Sequence, residues 1–249
     1  MHCFDWTYAQ IKEELPNIAA AGFSAVQTSP AHPREPVGAA WYMLYQPYDY
    51  KVGENGLGTK EGLTELCTEA HQYGVKIIVD VVANHTNGSL SYVASFWQDK
   101  SLYHDYQGGI DYSNRWQVTH GRLGMWDLKT EDSRVQEKIK EYVAELKSCG
   151  VDGIRWDAAK HIGLPSEGDT FWQNVPDQTM YNYGEILDGT GGDDTVSEKV
   201  EVVSQTTGVQ LHPVAGESSA KAMIYNLQGQ RVDANYRGVV VCNGRKYVQ

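Results

Sequence analysis

Apolar positions along the chain switch repeatedly between a helical spacing and short β-prone runs. Ile11, Leu15, Ile18 and Ala19 fall on one helical stripe, predicting a helix over 8–21 that Thr7 caps and Gly22 ends. Pro16 predicts a kink or a boundary within it. Leu63, Leu66, Cys67 and Ala70 predict a helix from 59 or 60 to 73, closed at Gly74. Val135, Ile139, Val143 and Leu146 predict another over 132–148, stopped at Gly150. Strands are expected at 2–6, 23–28, 75–82, 151–157 and 180–185, with a short helix near 170–174. Residues 75–82 are almost unbroken apolar, as a strand covered on both faces requires. Strands alternating with helices predict parallel βα units. No GxGxxG follows a strand, and polar residues gather at strand C-termini, so the pattern favours a TIM-type barrel over an open doubly wound sheet.

Two stretches break the alternation. Residues 41–50 are dense in aromatic rings without helical period and predict a loop that presents them. Residues from about 86 to 130 are polar, aromatic and aperiodic, too long for a bare connection, and predict a small inserted lobe after the third strand. The character changes again near Gly189. Residues 189–195 read as a linker and 196–249 as a β tail with runs at 199–203, 222–227, 238–241 and 246–248. Asn243-Gly244 between two of those runs is a hairpin signal.

Composition narrows the class of ligand. The 249 residues carry a net charge of −11, which argues against nucleic acid or an anionic membrane as partner. Seven Trp and sixteen Tyr against four Phe favour rings with a polar handle, which suit wet ligands such as sugar faces and equally suit half-buried packing. Cys3, Cys67, Cys149 and Cys242 are scattered, and neither a disulfide framework nor a zinc motif follows from them. No apolar run is long enough to span a membrane, and the N-terminus has no basic region leading into an apolar one.

Candidate chemistry sits at the strand ends. On strand 151–157, Val151, Gly153, Arg155 and Asp157 share one face. Arg155 beside Asp157 is expected to keep that carboxyl ionised and oriented, as a nucleophile at a barrel strand end needs; a structural ion pair is the alternative. Asp80, Asn84 and His85 follow the third strand, Lys160 and His161 the fourth, and Glu185 the fifth. Asp157 and Glu185 suggest a carboxylate pair of the kind retaining glycosidases use, with Glu185 raised toward acid duty by Tyr183, Ile186 and Leu187. Two unrelated loop carboxylates remain the other reading.

The stretches Asp80-Val81-Val82-Ala83-Asn84-His85, residues 153–161 from Gly-Ile-Arg-Trp-Asp onward, and Gly184-Glu185-Ile186-Leu187 resemble three conserved regions of the α-amylase family of glycoside hydrolases. Residues 19–30 and 41–47 are similar to bacterial α-amylases as well, so the resemblance runs from about 2 to 188. It implies cleavage of α-1,4-glucosidic bonds in starch or maltooligosaccharides with retention. Asp157 would be the nucleophile and Glu185 the acid/base. Arg155 would orient the nucleophile, and His85, Tyr42 and Gln46 would contact the sugar at the cleavage point. Lys160 and His161 would face the leaving-group side. It further implies Ca²⁺ held by Asn84, Asp127 and the main-chain carbonyls of Thr119 and His161, an oxygen-only set.

The family's His-Asp pair, source of a third carboxylate, has no counterpart after Glu185: His212 is followed by Pro213. Three further βα units need roughly 90 residues, more than follow Glu185. About five strands of eight are therefore expected, an incomplete barrel with open edges prone to self-association. The chain then reads as a shortened amylase joined near 188–196 to its tail, with a catalytically defective or starch-binding protein as the alternative. Residues 222–232 and 238–246 of that tail resemble the C-terminal secretion-sorting domains of Bacteroidetes exported proteins, which implies an extracellular or cell-surface location.

Overall fold

A computed structural model describes residues 1–34, 40–106 and 108–186, and the backbone of four short strands between 224 and 248. The first part is built on five parallel strands. They are β1 (His2–Cys3), β2 (Ala25–Thr28), β3 (Lys76–Val82), β6 (Gly153–Asp157) and β7 (Tyr181–Gly184), adjacent in that order. Helices α1 (Tyr8–Ala20), α2 (Lys60–Gln72), α4 (Ser133–Ser148) and α5 (Phe171–Asn174) make the crossovers. This is an incomplete α/β barrel.

Thr7 caps α1 by accepting from the Gln10 amide, while Thr59 and Asp132 cap α2 and α4 in the same way. Pro16 neither ends α1 nor bounds it. The stripe Ile11, Leu15, Ile18 lies buried on both sides of the proline, so packing carries the helix through the lost hydrogen bond. Gly150 leaves α4 at φ +93°, and an added Cβ would meet Cys67 Cβ at 3.0 Å, so both backbone and space require glycine there.

The pleat sorts the strands into two faces. Ile77, Val79, Val81 and Ile154 are fully buried beneath the helices, and Trp156 meets Phe171 of α5 edge-on at 5.5 Å. On the opposite face the register aligns Ile78 with Gly153 and Tyr181, and Asp80 with Arg155 and Tyr183. A Cβ on Gly153 would lie 2.8 Å from the Tyr181 carbonyl, so the small residue lets the strands close up at the level below the charges.

The stretch between β3 and α4, termed the lobe, carries regular elements of its own. Its base is a two-stranded antiparallel ribbon, β4 (His85–Thr86) with β5 (Trp126–Asp127), and it contains α3 (Arg115–His120). Arg115 ties it to the loop after β6, donating to the carbonyls of Lys160 (2.5 Å) and Ile162 (3.0 Å) and pairing with Glu167. Residues 41–45, expected as plain loop, close into a 3₁₀ turn that leaves Trp41 and Tyr42 exposed.

Near the C-terminus, β8 (Ile224–Asn226), β9 (Arg231–Val232), β10 (Val239–Cys242) and β11 (Arg245–Val248) pair antiparallel in the order β11-β10-β8-β9. Cys242 stands opposite Arg245, the register a two-residue hairpin demands. The expected linker at 189–195 and run at 199–203 lie outside the described residues. Among the described residues no helix is long and apolar enough to cross a membrane.

Candidate active site

Arg155 is the hub of the site. It projects from β6 on the same face as Asp157, two residues on, and beside its register partner Asp80 on β3. Its Nη1 lies 2.7 Å from both Asp80 oxygens and 2.7 Å from Asp157 Oδ1, and its Nη2 lies 2.5 Å from Glu185 Oε1. Three carboxyls from three neighbouring strand ends thus share one guanidinium. Ala158 follows Asp157 in the left-handed region (φ 49°), a costly conformation for alanine. That turn aims its N–H at Glu185 Oε2, 3.2 Å away.

The electrostatics differ from expectation in two respects. Arg155 does not hold Asp157 at a low pKa. Burial, aided by the neighbouring Glu185 carboxyl, outweighs the guanidinium and pushes Asp157 up to about 6. Burial likewise raises Asp80 to about 7 against the pull of Arg155; Tyr45 donates to its Oδ2 at 3.1 Å. Glu185 is not in an apolar setting. It accepts from Arg155 and from Ala158, and its side chain is 28% exposed. A single cation spread over three carboxyls cannot satisfy all of them, and the most buried bear the cost.

These groups open onto a cleft of about 510 Å³. Tyr42, Gln46, His85, Arg155, Asp157, Lys160, His161 and Glu185 all line it. His85 is kept neutral by burial, its pKa lowered to about 4, and its Nε2 lies 3.0 Å from the Tyr45 carbonyl. Tyr42 is half exposed at the rim. Lys160 Nζ sits 5.2 Å from the centre of the Tyr112 ring, which the lobe contributes.

Behind the cleft, Asn84 Nδ2 lies 3.0 Å from Asp127 Oδ1 and 3.1 Å from the His161 carbonyl. Oxygens from the barrel and the lobe therefore converge on one amide. The amide's two ends are interchangeable by rotation, and the flipped group would add a third oxygen. Thr119 lies in the last turn of α3 beside Val118, whose carbonyl accepts from His161 Nδ1 at 2.8 Å. The donor chemistry fits a hard cation such as Ca²⁺.

Sequence reasoning missed several participants. Asp80 stood out as a polar strand residue, but its pairing with Arg155 depends on register. Tyr45, on the 3₁₀ turn, and Arg115, in the lobe, gave no signal, because their partners are remote in sequence. Phe4 and Trp41 line the cleft through tertiary packing alone, as do Leu123 and Met125.

The family model described as alpha amylase, catalytic domain, matches residues 7–238, which includes part of the C-terminal stretch. An alpha-amylase of Clostridium acetobutylicum is 40% identical over 208 residues, covering 75% of this chain and 27% of that protein. One from Butyrivibrio fibrisolvens is 31% identical over 231 residues, covering 76% and 24%. The chain thus spans about a quarter of the length of these relatives. Among solved structures, an alpha-amylase of Malbranchea cinnamomea superposes with a TM-score of 0.62 at 30% identity, covering 74% of this chain and 41% of the other. That of Geobacillus thermoleovorans, complexed with acarbose, gives 0.60 at 26%, covering 73% and 41%. With the match spread over most of its length and over the strands that carry the carboxyl cluster, this chain belongs to the α-amylase family of glycoside hydrolases.

Proposed function

We propose that the cleft binds an α-1,4-linked glucan and that Asp157 and Glu185 cleave it with retention. Asp157 attacks the anomeric carbon while Glu185 protonates the departing oxygen. Glu185 then takes a proton from the water that releases the sugar from Asp157. The observation that carries the reading is the shared guanidinium, which brings a nucleophile and an acid from adjacent strands to one cleft. Arg155 orients Asp157, and Tyr42 offers a ring for a sugar face. His85 and Gln46 contact the sugar at the cleavage point, and Lys160 and His161 serve the leaving-group side. The Geobacillus relative was solved in complex with acarbose, which is consistent with an oligosaccharide ligand.

Ca²⁺ would be held by Asn84, Asp127 and the carbonyls of Thr119 and His161. When bound it supplies a rigid cross-link between barrel and lobe. The division into a barrel at 1–188 with a lobe at about 86–130, a linker at 189–195 and a tail at 196–249 belongs to the same proposal. So does a sorting role for the tail, with an extracellular or cell-surface location; resemblance alone supports that role.

A second reading, a glucan-binding or catalytically defective chain, has its own support. Arg155 ties both Asp157 Oδ1 and Glu185 Oε1, which holds Glu185 as an acceptor rather than as the proton donor that a retaining pair needs. Turnover requires Glu185 to leave Arg155. Assay of a chromogenic maltooligosaccharide, with Asp157→Asn and Glu185→Gln as controls, decides. Turnover lost in both variants supports catalysis. No turnover in the parent chain, with retained binding to insoluble starch, supports the second reading. Neither turnover nor binding overturns both.

A further inference from the structure

The lobe gathers a second set of ligand-type side chains behind Asp127, away from the cleft. His104, His120 and Glu131 each present a nitrogen or oxygen atom, all within 4.8 Å of one another. His104 Nδ1 lies 2.6 Å from Asp127 Oδ2. A carboxylate accepts only, so Nδ1 carries a hydrogen and Nε2 is the ring atom left to face a metal once its own proton is displaced. His104 Nε2 faces Glu131 Oε1 at 3.1 Å. His120 Nδ1 meets the Trp116 carbonyl at 3.1 Å and Thr119 Oγ1 at 2.9 Å, so its Nε2 is the available atom as well. Trp116 stacks on the His120 ring at 4.7 Å and limits its rotation.

A metal ion would take the place of the hydrogen between His104 Nε2 and Glu131 Oε1, with His120 Nε2 completing the set. We propose that His104, His120 and Glu131 bind a divalent transition metal of the zinc class, at a site separate from the oxygen-lined pocket at Asn84. Two imidazoles and one carboxylate form a zinc ligand set that leaves a fourth position for water. A nitrogen-bearing set does not suit Ca²⁺. Asp127 behind His104 is the outer carboxylate that commonly orients a metal-ligating imidazole. The ion would tie together three separate lobe segments, at 104, at the end of α3 and just before α4. Because Asp127 Oδ1 faces Asn84 while its Oδ2 holds His104, both pockets hang on one side chain.

The test titrates Co²⁺ into the metal-free full chain with calcium in excess, then displaces it with Zn²⁺ against a chromophoric chelator. One equivalent with the strong visible absorption of four-coordinate cobalt is expected. His120→Asn and Glu131→Gln should each weaken binding at least ~10-fold, with circular dichroism unchanged. If a variant fails to fold, footprinting of the parent chain decides: Zn²⁺ should protect His120 from acylation while leaving His2 reactive. Absence of the cobalt band, unaltered affinity in the folded variants, or an unprotected His120 would each overturn the proposal.

Discussion

Arg155 Nη1 lies 2.7 Å from each carboxyl oxygen of Asp80, and the two residues are register partners on neighbouring strands. Asp80 is fully buried and raised to about 7, so the folded chain holds a proton there that the unfolded chain releases near pH 4. Between those values the folded state binds more protons, and stability falls as pH rises. Asp80→Asn, which cannot ionise, lacks this slope. Measured against the variant, the parent chain should be relatively most stable near pH 4 and lose that advantage by pH 7. Melting curves of both across this range check it; a constant difference refutes it.

Removing the cation is the more severe change. Arg155→Met would leave three carboxyls facing one another with no counter-charge. A loss of about 3–5 kcal/mol is expected, read from denaturant unfolding, whereas Arg155→Lys should recover part of it.

Asp157 must be ionised to attack. Because burial holds its pKa up to about 6, the acidic limb of kcat/KM should fall as pH drops through about 6 rather than about 4. The limb belongs to the cluster rather than to one group; because Asp80 is already largely protonated near pH 6, Asp80→Asn should leave it close to the parent's.

Calcium should act on stability through the junction at Asn84. Adding it at about a hundred times its Kd should contribute roughly 2.7 kcal/mol, raising Tm by roughly 5–10 °C for a domain of this size. Asp127→Asn should abolish the response. An equal shift in the variant would place the ion elsewhere.

β1 and β7 are the outer strands of the five-stranded sheet, and Tyr181 on β7 is 45% exposed. An outer strand offers unpaired backbone groups to another chain. Light scattering after gel filtration should find dimers or larger species. A monomer with a high melting temperature would rule this out.

The sequence by itself determined the alternation of strands and helices, the helix caps, the lobe after β3, and the grouping of Asp157, Glu185, Arg155 and His85 at strand ends. These follow from local chemistry: apolar spacing, capping residues, and the two-residue period that sets which side chains share a face. Only the tertiary structure decided how the charges are divided. Strand register put Asp80 on Arg155, and burial then lifted Asp80 and Asp157, where a neighbour in sequence had suggested the opposite for Asp157. The same holds for Arg115 on the loop after β6 and for His104, His120 and Glu131 around one point. Electrostatics depends on every charge and every desolvated surface nearby, and those are set by packing between segments far apart in the chain.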